Sequence, residues 1–166
     1  LTNVGTITPI ALSYTAGTGI TSVTYNASAV EGTETQAITL TDAASTGLTT
    51  ADDIENFTIT SSGTSALYLD ADSATSVTVN ASGTTTIDLN AATTASIATV
   101  DGSASTGKVT YVVDFTDVET TVTGGTGNDT IDVSDGLPNL NDVLDGGDGT
   151  DKLFIATAAA NGGGVV

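Results

Sequence analysis

Two nine-residue segments in the C-terminal part of the chain carry the residues that could do chemistry. They are GGTGNDTID (124–132) and GGDGTDKLF (146–154), and both follow the form GGxGxDxUx, in which U is a large aliphatic residue. The glycines permit positive φ angles, which let loop carbonyl groups turn toward a common centre. The aspartate at the sixth position adds a charged oxygen. Oxygen donors of this kind suit a calcium ion.

Calcium takes roughly six to eight oxygen ligands, which is more than one such loop provides. We therefore predict that the ion lies between the two loops, with Asp129 and Asp151 as its carboxylate ligands and loop carbonyl groups as the rest. Asp142 stands where a degenerate intervening loop would place its own aspartate. The candidate metal ligands are Asp129, Asp151, Gly125, Thr126, Gly127, Asn128, Gly147, Asp148, Gly149, Thr150 and Asp142.

The spacing of the two segments tests whether their loops can face each other. Gly124 and Gly146 are 22 residues apart, four more than two uninterrupted nonapeptides would give. An insertion at 134–141 explains the surplus, so we expect the loops to stack, with Ile131 and Leu153 pointing inward from short strands. The alternative is that these glycine-rich acidic segments are ordinary β-turns.

A repeat upstream indicates the elements that position these loops. Residues 57–76 align without a gap to residues 77–96, which is a period of 20. Within each unit the apolar residues come in pairs two positions apart, as expected for strands with one buried face. These pairs are Phe57/Ile59, Leu67/Leu69, Val77/Val79 and Ile87/Leu89.

Short strands at a constant pitch favour an all-β fold, a right-handed parallel β-solenoid (β-helix) in which each coil stacks on the one before. A β-sandwich is the alternative, because turn signals every 8 to 12 residues also fit that fold. Aromatic residues make up only 4% of the chain and Met and Trp are absent, so the core must consist mainly of small aliphatic side chains.

The charge of the chain excludes several classes of function. Twenty acidic residues stand against two lysines, Lys108 and Lys152, and the formal net charge is −18. We therefore expect neither a nucleic-acid partner nor binding to an anionic membrane surface. No stretch of about 18 apolar residues occurs in the chain, so we also expect no membrane insertion. The chain has no His and no Cys, so it cannot form a Ser-His-Asp triad, a Cys nucleophile or a zinc finger.

The two nonapeptides resemble those of the RTX calcium-binding family, whose repeats form a parallel β-roll. Together with the Cys-free, Thr/Ser/Ala-rich repeat ahead of them, they are similar to the surface-layer (S-layer) proteins of Gram-negative bacteria and to large RTX adhesins. The resemblance is strongest over residues 118–155. It implies secretion by a type I system, folding outside the cell when calcium arrives, and assembly of a lattice on the cell surface.

We accordingly expect four segments. They are an irregular start of the β-repeat region at 1–56, solenoid coils with a 20-residue period at 57–117, an RTX-like calcium-binding β-roll at 118–155, and a linker or the start of the next repeat at 156–166.

The function that we expect is that of a non-enzymatic structural module of a secreted S-layer protein, whose folding and lattice assembly depend on calcium. Its partners would be copies of itself or neighbouring domains in the lattice, and a cell-surface polysaccharide. Two alternatives remain open: an RTX adhesin stalk module, and a carbohydrate-active β-helix enzyme domain. A lyase of that type would have only Lys108 and Lys152 to take a proton or hold a uronate.

Overall fold

The computed structural model describes residues 7, 9–13, 19–24, 31–44, 46–51, 54–89, 97–114, 118–134, 136 and 138–155. Every regular element within them is a β-strand, and no helix there is long and apolar enough to cross a membrane. The strands are β1 (Ile10–Leu12), β2 (Gly19–Thr24), β3 (Thr35–Thr41), β4 (Thr46–Ala51), β5 (Asn56–Ser62), β6 (Thr64–Ala71), β7 (Ser76–Ala81), β8 (Thr84–Asp88), β9 (Thr99–Asp101), β10 (Val109–Val112), β11 (Thr121–Thr123), β12 (Thr130–Asp132), β13 (Val143–Asp145) and β14 (Lys152–Phe154).

The strands form two parallel seven-stranded sheets. The odd-numbered strands make one sheet, in the order β1-β3-β5-β7-β9-β11-β13, and the even-numbered strands make the other. Successive strands therefore alternate between the sheets, and each coil adds one strand to each. This confirms the predicted parallel β-solenoid. The sandwich alternative is wrong, because its sheets would be antiparallel.

The register confirms the repeat up to residue 88, and residues 90–96 of the predicted unit lie outside the described residues. Phe57 pairs with Val77 and Leu67 pairs with Ile87, both at the predicted period of 20. The next coil is longer, since Ile87 pairs with Tyr111, which lies 24 residues later. Both residues nevertheless point into the core. The stack continues beyond this longer coil, because β10 pairs with β12.

The same stack extends on both sides of the repeat. Ile38 of β3 pairs with Ile59 of β5, so the array starts before residue 57, and β1 pairs with β3. Toward the C-terminus, β11 pairs with β9 and β12 pairs with β10. The segment 118–155 thus continues the same two sheets. Its loops take their positions from the coils beneath them.

The core lies between the two sheets and consists mainly of aliphatic side chains. Strands alternate between buried and outward positions, with Thr58, Tyr68 and Thr78 exposed on the outer faces. Buried hydroxyl groups among the apolar residues are hydrogen-bonded, as in the 2.8 Å contact between Ser61 Oγ and Thr85 Oγ1. The large fully buried apolar side chains are Tyr111, Phe57, Ile38, Leu40, Leu48, Ile54, Ile59, Leu67, Leu69, Ile87 and Leu89.

A column of glycines runs along one edge of the stack. A Cβ at Gly83 would collide with the carbonyl oxygen of Gly63. A Cβ at Gly107 would likewise collide with the carbonyl oxygen of Gly83, and a Cβ at Gly127 with that of Gly107. Asp42 precedes this column with a positive φ of 47°, a conformation that Asp tolerates better than most residues. The backbones of successive coils therefore approach too closely at this edge for a side chain.

Candidate metal centre

The two nonapeptides lie on neighbouring coils in register. Val122 pairs with Leu144 before the loops, and Ile131 pairs with Leu153 after them. The expectation that the loops stack is confirmed, and the 22-residue separation is one full coil. Ile131 is buried as expected, whereas Leu153 is 52% exposed. Leu153 differs because β14 is the edge strand of its sheet, so no described coil covers it.

The loops approach each other so closely that glycine is required at their contacts. A Cβ at Gly124 would collide with the carbonyl oxygen of Gly146, and a Cβ at Gly147 with that of Gly125. Gly147 and Gly149 also have positive φ angles of 82° and 124°. Gly147 and Gly149 of the upper loop therefore meet two requirements, a backbone conformation and a close contact between coils, whereas the lower-loop glycines meet only the second.

Backbone hydrogen bonds join the upper loop to the lower one along its length. The Asp148 N–H donates to the Gly125 carbonyl at 2.9 Å, and the Lys152 N–H donates to the Asp129 carbonyl at 3.0 Å. Between them, the Thr150 N–H donates to Asn128 Oδ1 at 2.9 Å. The lower loop continues this pattern downward, because the Thr126 N–H donates to the Ser105 carbonyl.

Asp129 is an interior residue that ties two segments together. It is only 1% exposed. Its Oδ1 accepts the Val109 N–H at 2.7 Å from the preceding coil, and its Oδ2 accepts the Gly125 N–H at 2.8 Å from its own loop. Both bonds are to a charged acceptor, which makes them stronger than bonds between neutral groups. The carboxylate thus joins its own loop to the preceding coil.

Asp151 makes one of these two contacts one coil higher, the one to the preceding coil. Its Oδ1 accepts the Asp129 N–H at 2.8 Å. The structure therefore places the Asp151 carboxylate against the backbone of Asp129, whereas the Asp129 carboxylate binds the Val109 and Gly125 N–H groups. Asp151 is exposed and Asp129 is buried. Among the other predicted ligands in the loops, Gly125 is buried, Gly127 is half-buried, and the exposed ones are Thr126, Asn128, Gly147, Asp148, Gly149 and Thr150.

Asp142 is not brought to this pair. It precedes β13, in the sheet opposite to the one that β12 and β14 join, and so lies at the other edge of the solenoid. Its Oδ1 accepts the Thr120 N–H at 2.8 Å, and its Oδ2 accepts the Asn139 N–H at 2.6 Å. Asp142 therefore joins its own loop to the preceding coil at that edge, as Asp129 does at the edge that carries the nonapeptide loops.

The donors available between the loops are compatible with calcium. They are all oxygens, which a hard divalent cation prefers, and an oxygen that accepts one N–H retains a second lone pair. The described residues contain no group of three or more His, Cys, Asp or Glu side chains arranged to hold a metal. An ion at the loops would therefore draw most of its ligands from backbone carbonyl groups, with carboxylate ligands from Asp129 and Asp151.

The sequence interpretation missed a structural use of the acidic residues. Asp129, Asp151 and Asp142 each accept the N–H of the residue that lies one coil earlier, and Glu55 does the same through Oε2 to the Glu34 N–H at 2.8 Å. The signal is an acidic residue placed just before a strand at the coil spacing. It can be recognised only when the length of each coil is known.

No protein-family model, curated protein or solved structure matches the chain.

Proposed function

We propose that the chain is a non-enzymatic structural module of a secreted cell-surface protein of the S-layer type, and that calcium stabilises its last coils. The observation that carries the proposal is the in-register stack of the loops at 124–129 and 146–151. Two oxygen-rich loops that meet across one coil spacing can surround an ion that neither could hold alone.

Charge supports a role for a divalent cation in this region. Half of the twenty acidic residues of the chain lie between Asp114 and Asp151. Stacking coils that carry so much negative charge costs electrostatic free energy, and a bound cation offsets that cost. Because the unfolded chain does not hold the loops together, calcium binds the native state preferentially and stabilises it.

The solenoid itself supports a structural role. Its coils stack through continuous parallel sheets, and the described outer strand positions carry many threonines and few large apolar side chains. Such a stack is a stiff element suited to a surface lattice. In that lattice we propose that copies of the chain, or neighbouring domains, contact one another through calcium. The same properties suit a stalk module of an RTX adhesin. That alternative assigns the module to a different parent protein.

The test is the rise in melting temperature that calcium causes. At a calcium concentration about 100 times the Kd, linkage contributes about 2.7 kcal/mol. For a chain of this size that corresponds to a rise of roughly 5 to 10 °C over the protein in chelator. Magnesium should be a poor substitute, because it demands a small octahedral shell.

Matched variants assign the effect to the loops. Asp151→Asn retains an oxygen that can accept the Asp129 N–H but loses the charge, so the rise with calcium should shrink. Asp129→Asn also loses the charge but can accept only one of the two N–H groups that Asp129 binds, so it should shrink the rise and also lower the melting temperature in chelator. The double variant should lose little more than either single variant, since both residues serve one ion. Asp72→Asn removes an exposed charge in a distant turn and should keep the full rise. A wild-type protein whose melting temperature ignores millimolar calcium would refute the proposal.

A further inference from the structure

The only two cationic side chains of the protein line a single cavity. Lys108 and Lys152 account for all the Lys and Arg residues of the sequence, and both are exposed. The cavity has a volume of about 270 Å³ and is lined by Lys108, Asn128, Asp129, Thr130, Thr150 and Lys152. A chain with a net charge of −18 thus places all its positive side-chain charge at one concave site.

The two lysines belong to coils on either side of a shared neighbour. Lys152 pairs with Thr130, and Thr130 pairs with Thr110, which follows Lys108 by two residues. Adjacent strands lie roughly 4.8 Å apart, so the two lysine backbones are separated by roughly 10 Å along the stack. Neither lysine forms an ion pair with a described carboxylate. The two ammonium groups are therefore available to a ligand that sits between them.

The one carboxylate at the cavity exposes almost no surface to it. The two oxygens of Asp129 accept the N–H groups of Val109 and Gly125, and the residue is 1% exposed. Asn128 accepts the Thr150 N–H through Oδ1, so its amide NH2 group remains a donor. The accessible polar groups are thus two ammonium groups, an amide donor and threonine hydroxyls.

We propose that this cavity binds a sugar unit that carries a carboxylate, such as a uronic acid residue of a surface polysaccharide. Ammonium groups are point-charge donors to an anion, while the amide and hydroxyl groups match sugar hydroxyls. A carboxylate brings a single negative charge and is repelled less by this acidic protein than a dianionic phosphate. The cavity is smaller than the roughly 300 to 1,000 Å³ of drug-sized sites, so it accepts one sugar unit.

The test is a titration of the protein with methyl glucuronide, followed by the amide NMR signals of Asn128, Thr130 and Thr150. The titration is run once at a constant calcium concentration and once in chelator. These signals should shift and saturate, whereas methyl glucoside, the neutral match, should leave them unchanged. Lys108→Gln and Lys152→Gln should each weaken binding roughly threefold, as expected for exposed charge pairs, and the double variant should weaken it roughly ninefold. Asp72→Asn, a charge change in a distant turn, should have no effect.

Each variant is first checked for the wild-type melting temperature, which separates loss of the site from loss of the fold. Equal binding of the glucoside would overturn the proposal, as would unchanged affinity in the double lysine variant. Tighter binding of glucose 6-phosphate would overturn the choice of a carboxylate. Signals that shift only in the 146–151 loop, and only when calcium is present, would show calcium-bridged binding and would also overturn it.

Discussion

The hydroxyl group of Tyr111 lies against Gly102, in the space that a Cβ at residue 102 would occupy. Tyr111 stands between Ile87 and Ile131 in a column of aliphatic side chains, and it is fully buried. Its hydroxyl has no hydrogen-bond partner among the described residues. Burial, followed by the negative charge of Asp129, raises the pKa of Tyr111 well above its usual range and outweighs the opposing effect of the nearby Ser105 hydroxyl.

The raised pKa of Tyr111 predicts that the fold loses stability in alkali. The folded pKa lies above the unfolded value of about 10, so the stabilisation is fully present below pH 10 and is lost as the pH rises toward the folded pKa. Tyr111→Phe should flatten the dependence of the free energy of unfolding on pH above 10. It should leave stability at pH 7 equal or slightly higher, because it removes an unpaired buried hydroxyl.

The matched control for this substitution is Tyr68→Phe, which changes a tyrosine that is 44% exposed on the outer face. It should keep the wild-type alkaline profile, measured by denaturant unfolding between pH 8 and pH 11. A Tyr111→Phe protein with the same alkaline loss as wild type would show that other groups cause it.

The glycine column predicts that a single methyl group will destabilise the stack. In Gly83→Ala the added Cβ meets backbone atoms of Gly63, which cannot move aside as a flexible side chain can. Overpacking of this kind costs about 1 to 3 kcal/mol in the free energy of unfolding. Thr84→Ala, at the adjacent exposed position, should change it by less than about 0.5 kcal/mol. Urea unfolding of both variants measures the difference, and equal values would argue against the close approach.

The inward register is tested by two neighbouring positions on β6. Leu69 is fully buried and Tyr68 faces outward. Leu69→Asp places an unpaired charge in a thin core and should prevent folding, as judged by loss of the cooperative thermal transition. Leu89→Asp should do the same. Tyr68→Asn, which adds no second carboxylate beside Asp88 of β8, should melt close to wild type. A Leu69→Asp protein that melted normally would mean that the register is wrong.

The sequence could predict the inward pairs because alternation at period two depends only on neighbouring residues. Phe57, Ile59, Leu67 and Leu69 were therefore placed correctly, and the stacking of the two glycine-rich loops followed from their shared form. The hydrogen bonds of Asp129 were not predicted, because they join residues one coil apart and the coil length varies. For the same reason the joint cavity of the two lysines could not be foreseen.

Assembly of the chain should depend on divalent cations. Two copies that each carry a charge of −18 repel each other across any shared interface. We expect sedimentation velocity to detect oligomers in millimolar calcium and monomers in chelator. Monovalent salt should substitute poorly, because it screens charge without coordinating carboxylates. Oligomers of equal size in chelator with moderate salt would exclude calcium from the interface.

Hydrogen exchange with and without calcium tests most directly whether the stacked loops bind the ion. The amides that join the loops, among them those of Asp129, Asp148 and Lys152, should exchange more slowly in millimolar calcium than in chelator. The amides of the 57–89 coils, whose core is aliphatic, should change much less. Equal exchange of the loop amides in calcium and in chelator, or slowing that is spread evenly over the chain, would contradict a calcium site between the two loops.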